Sequence, residues 1–157
     1  MASEDESKAA LSRAYRLLSL RARSEEEIRR SLRHAGFGDA AVEAAVTHLL
    51  HQGLLDDRAF AADWTQSRIQ SRPRGRRLIE HELRTKGVSP EDAAAATSGV
   101  DDDATALALA ARRARLMGGV DRQTLVRRLS NYLLARGFSG ETVSRAVASV
   151  LSGRDDS

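Results

Sequence analysis

Three observations predict an all-α protein made of three tandem three-helix repeats stacked into an elongated array. First, the 157 residues are rich in Ala, Leu, Arg and Glu, all good helix formers, and hold only two prolines. Second, Gly36, Gly87 and Gly137 recur at intervals of 51 and 50 residues. Third, their neighbours match. Leu32, Leu83 and Leu133 stand four residues before each glycine, Ile28, Ile79 and Leu129 eight before, and Phe37, Val88 and Phe138 directly after. An apolar i, i+4 pair, a glycine and a new apolar phase describe a helix, a left-handed stop and a second helix. One such unit is too small to bury its apolar faces alone, so neighbouring units are expected to stack.

The elements follow in order. Residues 1–7 (MASEDES) are expected as a flexible acidic tail. The first repeat, 8–55, opens with a helix striped by Leu11, Ala14, Tyr15 and Leu18. Ser24 is expected to cap its second helix, which carries Ile28 and Leu32. After Gly36 a third helix spans Asp39 to Gln52, with Val42 and Leu49 inward. The second repeat, 56–99, follows Gly53-Leu-Leu-Asp-Asp. Its aspartates can cap free N–H groups, and Phe60 and Trp64 anchor the helix behind them. A helix from Arg74 to Lys86 carries Ile79 and Leu83. A short Ala-rich helix, Pro90 to Ser98, is capped by Ser89. The third repeat, 100–152, begins at the similar Gly99-Val-Asp-Asp-Asp. Leu107, Ala111 and Ala114 mark its first helix, Leu129 and Leu133 its second, and Ser139 caps a last helix from Glu141 to Leu151. Residues 153–157 are expected as a second tail.

The net charge of +3 is modest, but its distribution is uneven. Between Arg68 and Lys86 stand seven cations (Arg68, Arg72, Arg74, Arg76, Arg77, Arg84 and Lys86) against two anions, Glu80 and Glu82. On a helical wheel, Ile79 and Leu83 face the core, while Arg74, Arg77, His81 and Arg84 gather opposite. Such a cationic ridge suits an anionic partner, because guanidinium groups bind phosphate or carboxylate in bidentate fashion. A solvated helix face is the plainer reading of the same run. Arg112, Arg113 and Arg115, with Arg127, Arg128 and Arg136, form a second basic group, in which Arg136 is expected to be largely structural.

Several function classes find no support. The absence of cysteine excludes disulfides, thiolate metal sites and thiol catalysis within this chain. No apolar run approaches the roughly 20 residues that span a bilayer. The acidic start lacks the parts of a signal peptide, so a cytoplasmic protein with no membrane partner is expected. His48 and His51 share a helix face, but no carboxylate pattern completes a metal site. Asp56, Asp57 and Asp101 to Asp103 read as caps, and Trp64, at helical spacing from Phe60, reads as core. With no phosphate loop and no nucleophile elbow, neither an enzyme nor a cofactor is expected.

The segment from Gly53 to Val88 also resembles the central signature of the RecX family. The resemblance rests on Gly53-Leu-Leu-Asp-Asp, Phe60-Ala61, Trp64, Arg68, Gly75, Arg77-Leu78, Glu82-Leu83 and Lys86-Gly87-Val88. It extends to Arg23-Ser24, Leu32 and Gly36, and to Leu129, Tyr132-Leu133 and Arg136-Gly137-Phe138. It covers the chain from about Ala9 to Leu151. It implies three tandem three-helix repeats in a curved, elongated monomer. It further implies a regulator that binds in the groove of the RecA–DNA filament, inhibits its ATPase, strand-exchange and coprotease activities, and promotes its disassembly. Some members bind DNA as well, so single- or double-stranded DNA is an expected partner, directly or through the filament.

Two other readings fit the helices. Each glycine-centred helix pair superficially looks like a helix-turn-helix, but the second helices offer little that reads bases: Glu43 in one, acids and alanines in the next, Arg145 and serines in the last. A generic helical interaction module without a RecA link is the other.

Overall fold

In a computed structural model that describes residues 3–156, the described residues form nine α-helices and no strand: α1 (Glu4–Leu20), α2 (Glu25–His34), α3 (Asp39–His51), α4 (Asp57–Ser71), α5 (Arg76–Thr85), α6 (Pro90–Thr97), α7 (Asp102–Arg115), α8 (Arg122–Ala135) and α9 (Gly140–Asp155). The all-α prediction is met. Both expected tails are shorter than the sequence suggests. Ser3 Oγ accepts from the Glu6 N–H at 3.1 Å, and Glu4, Asp5 and Glu6 lie against the positive end of the helix dipole. Residues 4–7 are therefore the first turn of α1, and residues 153–155 extend α9. Positions 1, 2 and 157 of the expected tails lie outside the described residues.

Helix stops follow one chemistry. Gly36, Gly87 and Gly137 adopt φ of +97°, +84° and +89°, where a side chain is disfavoured. In each case the next N–H turns back onto the helix: Phe37 to Leu32 O (3.2 Å), Val88 to Leu83 O (3.0 Å) and Phe138 to Leu133 O (3.3 Å). Serine caps stand where expected, with Ser24, Ser89 and Ser139 accepting from Glu27, Asp92 and Thr142 N–H groups. At Ser24 the box is closed, since Glu27 Oε1 accepts from the Ser24 N–H.

The chain divides into two compact units. The first runs to Trp64 and includes Glu82–Ala96; the second comprises Thr65–His81 and continues from Thr97. Thus α4 and α5 each contribute to both. The first unit has a core of α1, α2 and α3 side chains centred on Ile28, Leu32, Val42, Val46 and Leu49. The second has a core of α7, α8 and α9 side chains centred on Leu125, Leu129, Leu133, Phe138 and Val143. Small residues let the first helix of each set approach its neighbours, with Ala10 and Ala14 buried in α1 and Ala106, Ala110 and Ala114 in α7. Of the expected α7 stripe, Ala114 is buried, whereas Ala106 and Ala110 face inward in place of Leu107, which is 41% exposed, and Ala111, which is half-buried. Trp64 is half-buried rather than fully core, stacked on Phe60 with ring centroids 6.0 Å apart.

Candidate functional site

The site is built where the middle helices of successive repeats meet end to end. Within the first unit, Ser24 Oγ donates to Lys86 O at 2.5 Å, so the start of α2 abuts the end of α5. Within the second, the Gly75 N–H donates to Arg136 O at 2.8 Å, and the start of α5 abuts the end of α8. Contact is close enough to exclude side chains. A Cβ on Gly137 would lie 2.5 Å from Leu78 Cβ, one on Gly75 would overlap Gly137 O, and one on Gly87 would overlap Glu26 Cβ.

An aspartate one helix away locks each junction. Asp57 Oδ1 accepts from the Glu25 N–H at 2.9 Å, and Asp102 Oδ1 accepts from the Arg76 N–H at 3.0 Å. These two were expected to cap their own helices. That task falls instead to Asp56 and Asp101, whose carboxylates take the Ala59 and Ala104 N–H groups. Burial pushes the Asp57 and Asp102 carboxyls up, only partly offset by the N–H bonds they accept. Helix α5 therefore starts at Arg76 and not at the expected Arg74. Residues 72–75 form a bend, in which Arg74 Nε donates to Arg72 O at 2.9 Å.

The predicted cations separate into three groups. Arg72 and Arg74 from the bend and Arg112 from α7 line one open cleft of about 540 Å³ in the second unit. Arg136, expected to be structural, joins them, with Leu78, Leu109 and Tyr132 completing the walls. Arg113 and Arg128 line a second opening with Asn131, and Tyr132 borders both. The Tyr132 ring holds the Arg113 guanidinium 4.6 Å and the Arg136 guanidinium 5.1 Å from its centroid. Each such contact contributes about 0.5–1 kcal/mol at an exposed site and restrains a flexible arm. Arg115 lines a smaller groove, of about 330 Å³, between α7 and α9.

The remaining cations are placed otherwise. Arg77 and Arg84 lie exposed on α5 with His81, and Arg127 is exposed on α8. Arg68 is half-buried in the last turn of α4. Arg76 is half-buried and lies 4.0 Å from Glu80. Lys86 is half-buried, 3.7 Å from Glu27 and 5.1 Å from the Trp64 ring centroid, so it serves the first junction. There, burial alone would raise the Glu27 carboxyl. Hydrogen bonds from Arg21 and the Ser24 N–H, with the Lys86 charge, bring it below its ordinary value.

The sequence places Arg136 in the second basic group but leaves it and Tyr132 out of the candidate site residues. The available signal was their i, i+4 spacing at the C-terminal end of α8, where Arg136 follows the last helical residue. What the arrangement offers is a concave, permanently cationic surface, since Arg does not deprotonate at any physiological pH. Among the described residues, no helix is long and apolar enough to cross a membrane.

Comparison with known proteins agrees with this architecture. Models of the RecX first, second and third three-helix domains match residues 10–49, 56–96 and 101–147. The regulatory protein RecX of Amycolatopsis mediterranei is 37% identical over 138 residues, covering 86% of this chain and 79% of that one. That of Prosthecochloris aestuarii is 32% identical over 150 residues, covering 96% and 99%. Among solved structures, RecX from Lactobacillus salivarius shares the fold (TM-score 0.85, 18% identity, 94% and 98% of the two chains). A second crystal structure of regulatory protein RecX aligns with a TM-score of 0.80 at 26% identity, covering 90% of this chain and 71% of that one. With three consecutive domain matches and relatives 37% and 32% identical over 79% and 99% of their own length, the chain belongs to the RecX family of regulatory proteins.

Proposed function

We propose that the protein modulates, mainly by inhibition, the RecA recombinase, binding in the groove of the RecA–DNA filament as a monomer. In doing so it suppresses ATPase, strand-exchange and coprotease activities. The observation that carries this reading is the cationic cleft of Arg72, Arg74, Arg112 and Arg136 on a helical scaffold of the RecX family. The filament presents carboxylates and DNA phosphates, and both are anions that guanidinium forks bind. Action is by mass action: the bound filament conformation is poor at hydrolysis and exchange, and its population rises with occupancy. No bond-making step is required of the protein, so the reading calls for no catalytic group or cofactor, and its setting is the cytoplasm.

The test is RecA's single-stranded-DNA-dependent ATPase, titrated with this protein at two salt concentrations. Inhibition well below the RecA concentration, weakening as salt rises, supports filament binding through charge. Inhibition only when the protein suffices to coat the DNA would point to competition for phosphates. No inhibition at any concentration would overturn the reading.

A further inference from the structure

The two junctions between middle helices are copies of one another, and their differences are informative. Position by position, Arg21, Arg23 and Lys86 in the first junction correspond to Arg72, Arg74 and Arg136 in the second. The cations are retained. Two carboxylates are not: Leu78 stands where the first junction has Glu27, and Tyr132 where it has Glu82. The first junction also opens on a cleft, bordered by Arg23, Glu27, Thr85 and Lys86. Its Glu27 carboxylate sits 2.6 Å from Arg21, 3.7 Å from Lys86 and 3.2 Å from the Ser24 N–H. Among the described residues, none that lines the second cleft is acidic.

We infer that the second cleft, the one lined by Arg72, Arg74, Arg112 and Arg136, binds a glutamate or aspartate side chain from a partner protein, in the place that Glu27 fills internally in the first junction. The ligand class follows from the repeat itself, because the occupant of the equivalent position is a carboxylate. The walls agree. Leu78, Leu109 and Ala135 suit the methylenes that carry a carboxylate, whereas a sugar–phosphate would set hydroxyls and ester oxygens against them. Tyr132 restrains Arg136, as the cation–π contact shows, so part of the entropy of ordering that guanidinium is lost before binding. This inference rests on the proposed filament role and makes the cleft's contact there one to protein and not to DNA.

The repeat also supplies the test. Leu78→Glu places in the second cleft the side chain the first junction already has. The internal carboxylate then neutralises the arginines and competes with any external one. Leu78→Gln has the same size and polarity without the charge. Arg112→Glu alters the opposite wall from an exposed position on α7. Ala148→Glu, exposed on α9, controls for net charge. Binding of a labelled oligoglutamate peptide and of labelled oligo-dT would be measured for each, with RecA ATPase inhibition in parallel and circular dichroism to confirm folding.

The expected result is that Leu78→Glu binds oligoglutamate roughly tenfold or more weakly than Leu78→Gln, and Arg112→Glu roughly tenfold or more weakly than the parent, while Ala148→Glu stays near the parent. Equal binding by Leu78→Glu and Leu78→Gln would overturn the inference, as would a parent that does not bind the peptide. The same pattern seen with oligo-dT in place of the peptide would overturn it in favour of phosphate. Should Leu78→Glu lose the peptide yet inhibit RecA like the parent, the cleft is not the filament contact and the inference falls while the proposed function stands. A parent that binds the peptide but never inhibits RecA reverses that outcome: the carboxylate site survives and the RecA role does not.

Discussion

Gly36 and Gly137 occupy the same position in two repeats, and substituting each by alanine separates two physical effects. Both adopt strongly positive φ, at +97° and +89°. An alanine there costs about 1–2 kcal/mol from backbone sterics alone. At Gly36 nothing else opposes it, since an added Cβ has no neighbour within 4 Å. At Gly137 the added Cβ would lie 2.5 Å from Leu78 Cβ and 3.2 Å from Leu78 N. Neither atom belongs to a flexible arm, so the α5–α8 junction must open, and overpacking of this kind costs about 1–3 kcal/mol more. At roughly 2–4 °C per kcal/mol for a chain of this size, Gly137→Ala should melt several degrees below Gly36→Ala. Thermal unfolding followed by circular dichroism reads the difference, and urea midpoints check it. Equal losses for the two variants would refute the close packing of Leu78 against Gly137. A larger loss for Gly36→Ala would refute the repeat-to-repeat logic altogether.

Three other outcomes are expected. Removing the remote cap with Asp102→Ala should cost on the order of 1 kcal/mol and speed hydrogen exchange at the Arg76 amide, with little change at Ala104, which Asp101 holds; unchanged exchange at Arg76 would show that Asp102 does not cap α5. Glu27 has its folded pKa lowered, so its ionised form contributes stability above its unfolded value, a contribution lost as pH falls through the folded one. Denaturant midpoints of Glu27→Gln and the parent should therefore differ near neutral pH and converge in acid, and a gap that persists in acid would remove the charge from the explanation. Reversing Arg74 and Arg77 together to Glu should abolish RecA inhibition without loss of helicity; because Arg74 lines the cleft and Arg77 is exposed on α5, the single variants show which surface matters, and full activity in the double variant would exclude both.

The sequence made the helices legible because their signals are local. Gly36, Gly87 and Gly137 lie within eight residues of the apolar positions they terminate, and Ser24, Ser89 and Ser139 lie three residues from the N–H groups they cap. The junctions were not legible, because their partners are far apart in the chain: Asp102 and Arg76 by 26 residues, Asp57 and Glu25 by 32, Ser24 and Lys86 by 62. No periodicity announces such a pair. The same reason misplaced the start of α5, whose cap comes from another helix, and assigned Asp57 and Asp102 to their own helix ends. It also explains the mixed fate of the basic run. Counting charge from Arg68 to Lys86 treats every cation alike, whereas the fold gives Lys86 to Glu27 and Trp64, and brings Arg112 and Arg136 from two other helices to Arg72 and Arg74. Repetition and function thus sit at different levels. A repeat needs its glycines and leucines at each junction to stack, so those positions record the architecture. Once stacking is secured, the charged and aromatic positions around it can differ between copies, and at Leu78 and Tyr132 they do. That substitution of carboxylates by apolar and aromatic groups leaves one of two similar junctions cationic, and it is where recognition of an anionic partner is best sought.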